Sequence, residues 1–359
     1  MKATLADAAL MRDAGRFVWL ELDFDKPVNQ AFLARHGVRY TPTLLVLDPA
    51  DERAAATNFG GLTPADLQRF LDRGERGVNK KESTALARGD ALLGMGKVAE
   101  AAAAYREAHA FPSLARTLVS ARQYRDAAEI AEAETPKMPR DASFASVVLS
   151  GLSSANMGGE EPWAIAARKK LEPLAAEGAA LPSALRDHRF QLYQQLMSAA
   201  ALRGDKAAMT QWGDRWLAMI ASTKPANDDE RSALDIARVD AASEMEQPAR
   251  VIPALIASER AMPSNYNASL RLAQMLVAAK RYDEGLAACD RGLAHVSGPI
   301  GRSWLLRTKA QAFVAKGERA AAHRALEEAL QNAQKIGTKD SRAHNVQRIA
   351  EEIKELDKR

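Results

Sequence analysis

A single cysteine, Cys289, stands in 359 residues. One thiol cannot close an intrachain disulfide. That suits a reducing compartment without excluding an oxidising one. Aromatic residues are scarce, at 6%, while the 47% that are hydrophobic are dominated by alanine. With 27% charged residues, this composition favours close-packed helices over sheets. No run of about 18 apolar residues occurs, so no membrane span is expected. The opening "MKATLADAALMRDAGRF" lacks a continuous apolar core and a cleavage site. It is not a secretory signal, and it reads as the middle of a helix. Taken as written, the chain is expected to be cytoplasmic.

Charge of one sign is also missing. Fifty Lys and Arg face 46 Asp and Glu, a net of +4, with the two signs interleaved throughout. No basic stripe or basic-aromatic patch stands out, so nucleic acid is not an expected partner. The six histidines, at 36, 109, 188, 295, 323 and 344, show no metal-ligand spacing. His36, before Gly37, is expected at the surface. "GMGK" at 94–97 lacks the spacing and the Ser/Thr of a phosphate loop and reads as a turn between helices. There is no G-x-S-x-G and no paired acid cluster on one helix face. Trp212 and Trp216, at i and i+4, are expected in the core. No catalytic, cofactor-binding or metal-ligating residue is assigned, and no cofactor is expected.

What is present divides near residue 76. In the first part, residues 3–14 have helical spacing, with Leu5, Ala9 and Leu10 on one side. "RFVWLELDFD" (16–25) is nearly continuously apolar and ends in acids, which predicts a strand buried on both faces. "PVNQAFLARHGV" predicts a helix with Phe32 and Leu33 inward and Gly37 as its stop. A hairpin follows: a strand at 43–47, a turn at Asp48 to Glu52, and a second strand near 53–59. Thr63 as N-cap, Pro64 at the first helical position and Asp66 in the first turn predict the closing helix.

This order, with "LELDFDKPVNQAFLARHGVRYTPTLLVLDP", resembles the latter two-thirds of a thioredoxin-like domain. Asp23 and Asp25 match that family's acidic strand end. Val38 and Pro42 match its loop valine and its cis proline, and Gly60 and Gly61 match the glycine before its last helix. The resemblance implies that Tyr40, Thr41 and Pro42 form a candidate peptide-binding loop. It also implies a C-x-x-C and a preceding central strand, both absent here; Met1-Lys2 would fall just after the second cysteine. Three outcomes are open. Residues 17–25 could pair directly with 43–47, the gap could be filled by other elements or a partner, or Met1 could be an internal methionine of a longer frame. The third is the expectation.

From about residue 80 the pattern becomes paired helices with short turns. In "STALARGDALLGMGKVAEAAAAYREAHAFP", residues Gly89, Leu92, Gly96, Ala101, Tyr105 and Ala108 have tetratricopeptide-repeat spacing. Ala273, Leu276, Tyr282, Gly285, Cys289 and Gly292 repeat it, as do Ala310, Phe313, Gly317, Ala322, Leu326 and Ala329. "SLARTLVSARQYRDAAEIAEAE" is a weaker copy. Between 143 and 262 the likeness is that of helical hairpins, punctuated by Pro139, Pro162, Pro182, Pro225, Pro248 and Pro263. "DSRAHNVQRIAEEIKELDKR" reads as a solvated terminal helix. Small residues let paired helices cross closely, and each pair leaves an apolar face for its neighbour to bury. Cys289 falls at such an inward position and is expected to be inert.

The expected fold is thus α/β plus all-α. A partial thioredoxin-like domain at 1–76, lacking its first strand and C-x-x-C, precedes an α-solenoid of tetratricopeptide-like hairpins at 80–359. The expected function is a redox-inactive, non-catalytic scaffold for protein–protein interaction, holding a protein or peptide on the concave face of the repeats. The alternative is a thiol-disulfide oxidoreductase whose C-x-x-C lies upstream of Met1, its repeats selecting the client. A lost signal peptide would then place it in the periplasm or outside the cell.

Overall fold

The computed structural model describes residues 5, 7–24, 26–36, 38, 41–78, 85–337 and 339–358. Its contacts group the chain into two compact units, Met1–Asp205 and Lys206–Arg359. A two-stranded antiparallel sheet is followed by an array of helical hairpins.

In the first unit, β1 (Thr43–Leu47) pairs with β2 (Ala54–Phe59), Leu45 lying opposite Thr57. Asp48 closes the turn between them. Its carboxylate accepts the Ala50 N–H (2.9 Å), and its own N–H donates to the Arg53 carbonyl (2.8 Å). The helix α2 (Pro64–Val78) starts as expected. The Asp66 N–H donates to Thr63 Oγ1 at 3.1 Å, and the Thr63 hydroxyl donates back to the Asp66 carboxylate at 2.7 Å. Leu67, Phe70 and Leu71 of α2 bury against Val46 and Ala56 of the sheet and against Leu10. Leu10 sits on a 3-10 helix, Ala8–Asp13, within the helix expected over 3–14, of which residues 3, 4 and 6 lie outside the described residues.

Two expectations fail here. Residues 17–23 form no strand. Among the described residues 17–22 make no backbone–backbone hydrogen bond, and Val18 (89% exposed) and Leu20 (77%) face solvent with Trp19 and Leu22. Exposure follows from the missing pairing: a strand is buried only when a neighbour satisfies its amides, and among the described residues neither β1 nor β2 pairs with this run. Arg16 meanwhile ties the start of the run to α2, bonding Asp72 (2.9 Å) and Glu75 (2.6 Å). Second, His36 is buried, not at the surface: 4% exposed, its ring 4.4 Å from that of Phe32. It follows the short α1 (Gln30–Arg35), whose Leu33 is buried as expected. Burial lowers the His36 pKa, so a neutral ring tolerates this position. Asp25 and Gly37 lie outside the described residues.

Among the described residues this unit continues with α3 (Ala85–Gly94), α4 (Val98–Glu107), α5 (Phe111–Ser120), α6 (Tyr124–Glu134), α7 (Ala142–Met157), α8 (Pro162–Ala180) and α9 (Arg186–Leu202). The first pair shows why the spacing is legible. A Cβ on Gly89 would stand 2.7 Å from the Tyr105 ring, so only glycine lets α3 and α4 close on that buried aromatic. Gly94 of α3 lies against Ala54, bringing this hairpin onto the sheet.

The second unit holds α10 (Lys206–Ser222), α11 (Asp228–Glu244), α12 (Ile252–Ala261), α13 (Tyr266–Ala278), α14 (Tyr282–His295), α15 (Pro299–Ala315), α16 (Arg319–Ala333) and α17 (Lys339–Lys358). One core cluster joins Ala242, Ile252, Leu255, Leu272, Leu276 and Cys289 across α11 to α14. Another joins Leu306, Ala310, Ala322, Leu326, Ala329 and Ile349 across α15 to α17. Each hairpin therefore covers the apolar face of the next, as hairpin arrays require. Trp216 is core, and Trp212 is half-buried beneath the guanidinium of Arg215 (4.7 Å). Among the described residues, no helix is long and apolar enough to cross a membrane.

Candidate functional site

The loop singled out in the sequence leads into β1. Thr41 and Pro42 are exposed, the peptide between them is cis, and the Pro42 carbonyl accepts the Gly60 N–H at 2.8 Å. Tyr40 lies outside the described residues. The chain's one thiol is no nucleophile. Cys289 is fully buried on α14, and burial, with Asp290 beside it, pushes its pKa up to about 12. The thiolate that would attack is almost absent near neutrality.

A polar cluster that sequence reasoning missed fixes the first hairpin to the α/β element. Asp90 of α3 is fully buried. It accepts the Tyr105 hydroxyl and the Arg73 Nε, each at 2.7 Å. Burial pushes the Asp90 carboxyl upward, and Arg73 and Tyr105 pull it back. Nearby, Arg116 Nη2 donates to Asn58 Oδ1 (3.0 Å), and Asn58 Nδ2 donates to the Gly60 carbonyl (3.0 Å). His188, in the field of Arg116, Asp187 and Asp66, is held down to about 4, chiefly by burial. Its Nδ1 has no hydrogen-bond partner. The arrangement holds helices and strands together, with Asp90 matched by Arg73 and Arg116 bonded to the neutral Asn58.

The second unit carries the concavity with unused polar groups. A cavity of about 370 Å³ is lined by Gln274 from α13, by Trp304, Arg307, Thr308 and Gln311 from α15, and by His344, Asn345 and Arg348 from α17. The α15 residues stand at i, i+3, i+4 and i+7, one stripe of a helix. Arg307, 7% exposed, forms a bidentate pair with Glu352, Nε to Oε2 at 3.0 Å and Nη2 to Oε1. Trp304 Nε1 points at Asn345 Oδ1 (3.4 Å), and the Asn345 amide donates to the Ser341 carbonyl (2.8 Å). These bonds fix the floor. Gln274 and Gln311 are exposed and make no hydrogen bond within the described residues.

A second concavity, of about 620 Å³, lies against the opposite face of α13, on an apolar floor that includes Ile256, Leu272 and Leu276. Arg291 and Glu259 close its rim through a bidentate pair at 2.8 and 3.1 Å. Positions 272 and 276 project about 180° from 274 around a 3.6-residue helix, so α13 presents different chemistry to its two sides.

The α15 stripe was visible in sequence as "WLLRTKAQ", but a search for apolar periodicity passes over polar residues sharing a face. Among the described residues no group of three or more His, Cys, Asp or Glu is placed to hold a metal ion. No protein-family model matches the chain, and comparison with curated proteins found no match.

Proposed function

We propose that the chain is a non-catalytic scaffold whose second unit grips an extended segment of a partner protein in the groove across α13, α15 and α17. In this reading the hairpins are tetratricopeptide-like and residues 1–76 are a thioredoxin-like module without redox chemistry. One observation carries the reading. Three helices, α13, α15 and α17, line one cavity, and the exposed side chains of Gln274 and Gln311 there serve no internal bond among the described residues. Carboxamides spare for an incoming backbone, beside an aromatic ring, suit peptide capture better than group transfer. The dithiol-enzyme alternative has no support from the thiol present, Cys289, which is buried and protonated.

The test is a displayed peptide library panned against the full chain. Selected peptides should bind the wild type and lose at least tenfold on Gln311→Trp, which fills the groove. They should be indifferent to Gln331→Ala on α16. Peptides that ignore the groove substitution would end the proposal. In parallel, a dithiothreitol–insulin turbidity assay should show no turnover above a C289A control.

A further inference from the structure

Resting on that reading, we infer that the groove's occupant is an acidic, extended peptide segment. The lining residues decide the sign. Two guanidinium groups, one imidazole and three carboxamides surround the cavity, and no acidic side chain is among them. The carboxylate beneath it, Glu352, spends both oxygens on Arg307. Arg348, more than half exposed, lies 3.9 Å from that same carboxylate and gains little from it. One turn earlier on α13, Arg271 adds a third guanidinium to the Gln274 side of the helix. Its one hydrogen bond is to a hydroxyl, Nη1 to Ser232 Oγ at 2.8 Å. Asp235, the fully buried acid near it, accepts Arg238 Nη1 (2.6 Å) and the Ser258 hydroxyl (3.0 Å) on Oδ1, while its Oδ2 has no hydrogen-bond partner. Burial raises the pKa of Asp240, also near Arg271, and the guanidinium of Arg271 pulls it back. The lining itself carries Arg307 and Arg348 and no carboxylate, and Glu352 beneath it offsets only Arg307, which leaves the groove positive.

The spacing suggests the register of the occupant. Neighbouring packed helices lie about 8–10 Å apart, and a polyproline II segment returns to the same face every three residues, about 9.3 Å. Carboxylates at every third position would then meet successive helices, one near Arg348 and Gln311, the next near Gln274 and Arg271. The chain's own Glu352 on Arg307 shows the contact in miniature, a carboxylate held by two N–H groups of one guanidinium.

Labelled Glu-Pro-Ala repeat peptides, titrated against the full chain by fluorescence anisotropy, test this beside Gln-Pro-Ala and Lys-Pro-Ala peptides. The Glu peptide should bind at least tenfold tighter than the Gln peptide, and added salt should erode the difference. Arg348→Glu, at an exposed position, should cost the Glu peptide tenfold or more and favour the Lys peptide instead. Gln311→Ala should weaken the Glu peptide several-fold. Circular dichroism and urea unfolding should show both variants folded like the parent.

Equal affinity for the Gln peptide, or indifference to Arg348→Glu, would overturn the inference. So would a single-stranded oligonucleotide that competes better than the Glu peptide at the same residues. A Gln or Lys peptide that binds and is displaced by Gln311→Trp would remove the acidic assignment while leaving the scaffold standing. Failure of all three peptides, together with groove-independent library peptides, would remove both.

Discussion

Residues 17–22 and residues 304–311 invert the usual expectation about burial. The first segment is nearly all apolar, and beyond the half-buried Phe17 it stands in solvent; the second carries Arg307 and Thr308, and both are buried. The difference lies in the backbone. A residue in α15 has its N–H and C=O satisfied by its own helix, so burial needs only side-chain partners, and Glu352 supplies one for Arg307. A strand residue needs another strand beside it before its side chains can be buried. The two strands of the sheet pair along one edge each, and among the described residues the run at 17–22 pairs with neither. Hydrophobicity alone therefore misjudged burial at 18–22, while Val46 of β1 and Leu67, Phe70 and Leu71 of α2 are buried as their pattern indicates.

The comparison breaks most sharply at Asp90. It is a fully buried carboxyl whose hydrogen bonds tie Arg73 and Tyr105, so Asp90→Ala, which strands both partners, should destabilise the first unit by about 3–5 kcal/mol in urea unfolding. A cost under about 1 kcal/mol would mean that the cluster does not join the hairpin to the sheet.

A middle-sized effect is expected from His188. Its folded pKa lies near 4, below the ordinary 6.5. The unfolded chain therefore binds the extra proton first, and stability rises with pH between those values. The contribution is complete above about 6.5 and is lost as pH falls toward 4. At about 1.4 kcal/mol per pKa unit, its ceiling is roughly 3 kcal/mol. Comparing urea midpoints of the parent and His188→Gln across pH 4–7 isolates it, because the variant should lack that part of the slope. Parallel pH profiles would reject the burial of this ring.

The smallest effect sharpens the contrast itself. Val18→Ser and Leu20→Ser, each at an exposed apolar site, should shift unfolding stability by no more than about 0.5 kcal/mol. Losses of 2 kcal/mol or more, the scale of large-to-small changes in a core, would show that this segment is buried in solution after all.

Most of the helical array was legible beforehand. Gly89 with Tyr105, and Cys289 inside α14, announced close helix crossings and an inert thiol, because helical periodicity encodes facing over a few residues. The hairpin at 43–59 and the Thr63 cap were equally local, carried by turn and cap chemistry. The candidate loop was readable only in outline, as Thr41 and Pro42 ahead of a strand. The groove was not readable, because its lining comes from three helices brought together by packing.

The amino-acid order alone determined where the helices start and stop, which of their faces are apolar, and that one thiol is all the chain possesses. Tertiary structure decided that residues 17–22 remain unpaired, that His36 and Asp90 are enclosed, and that Gln274, Gln311 and Arg348 share a cavity. Helix bonds and caps close within a few residues. Strand pairing, charge burial and groove assembly depend on groups far apart in the chain, and only folding determines which of them meet.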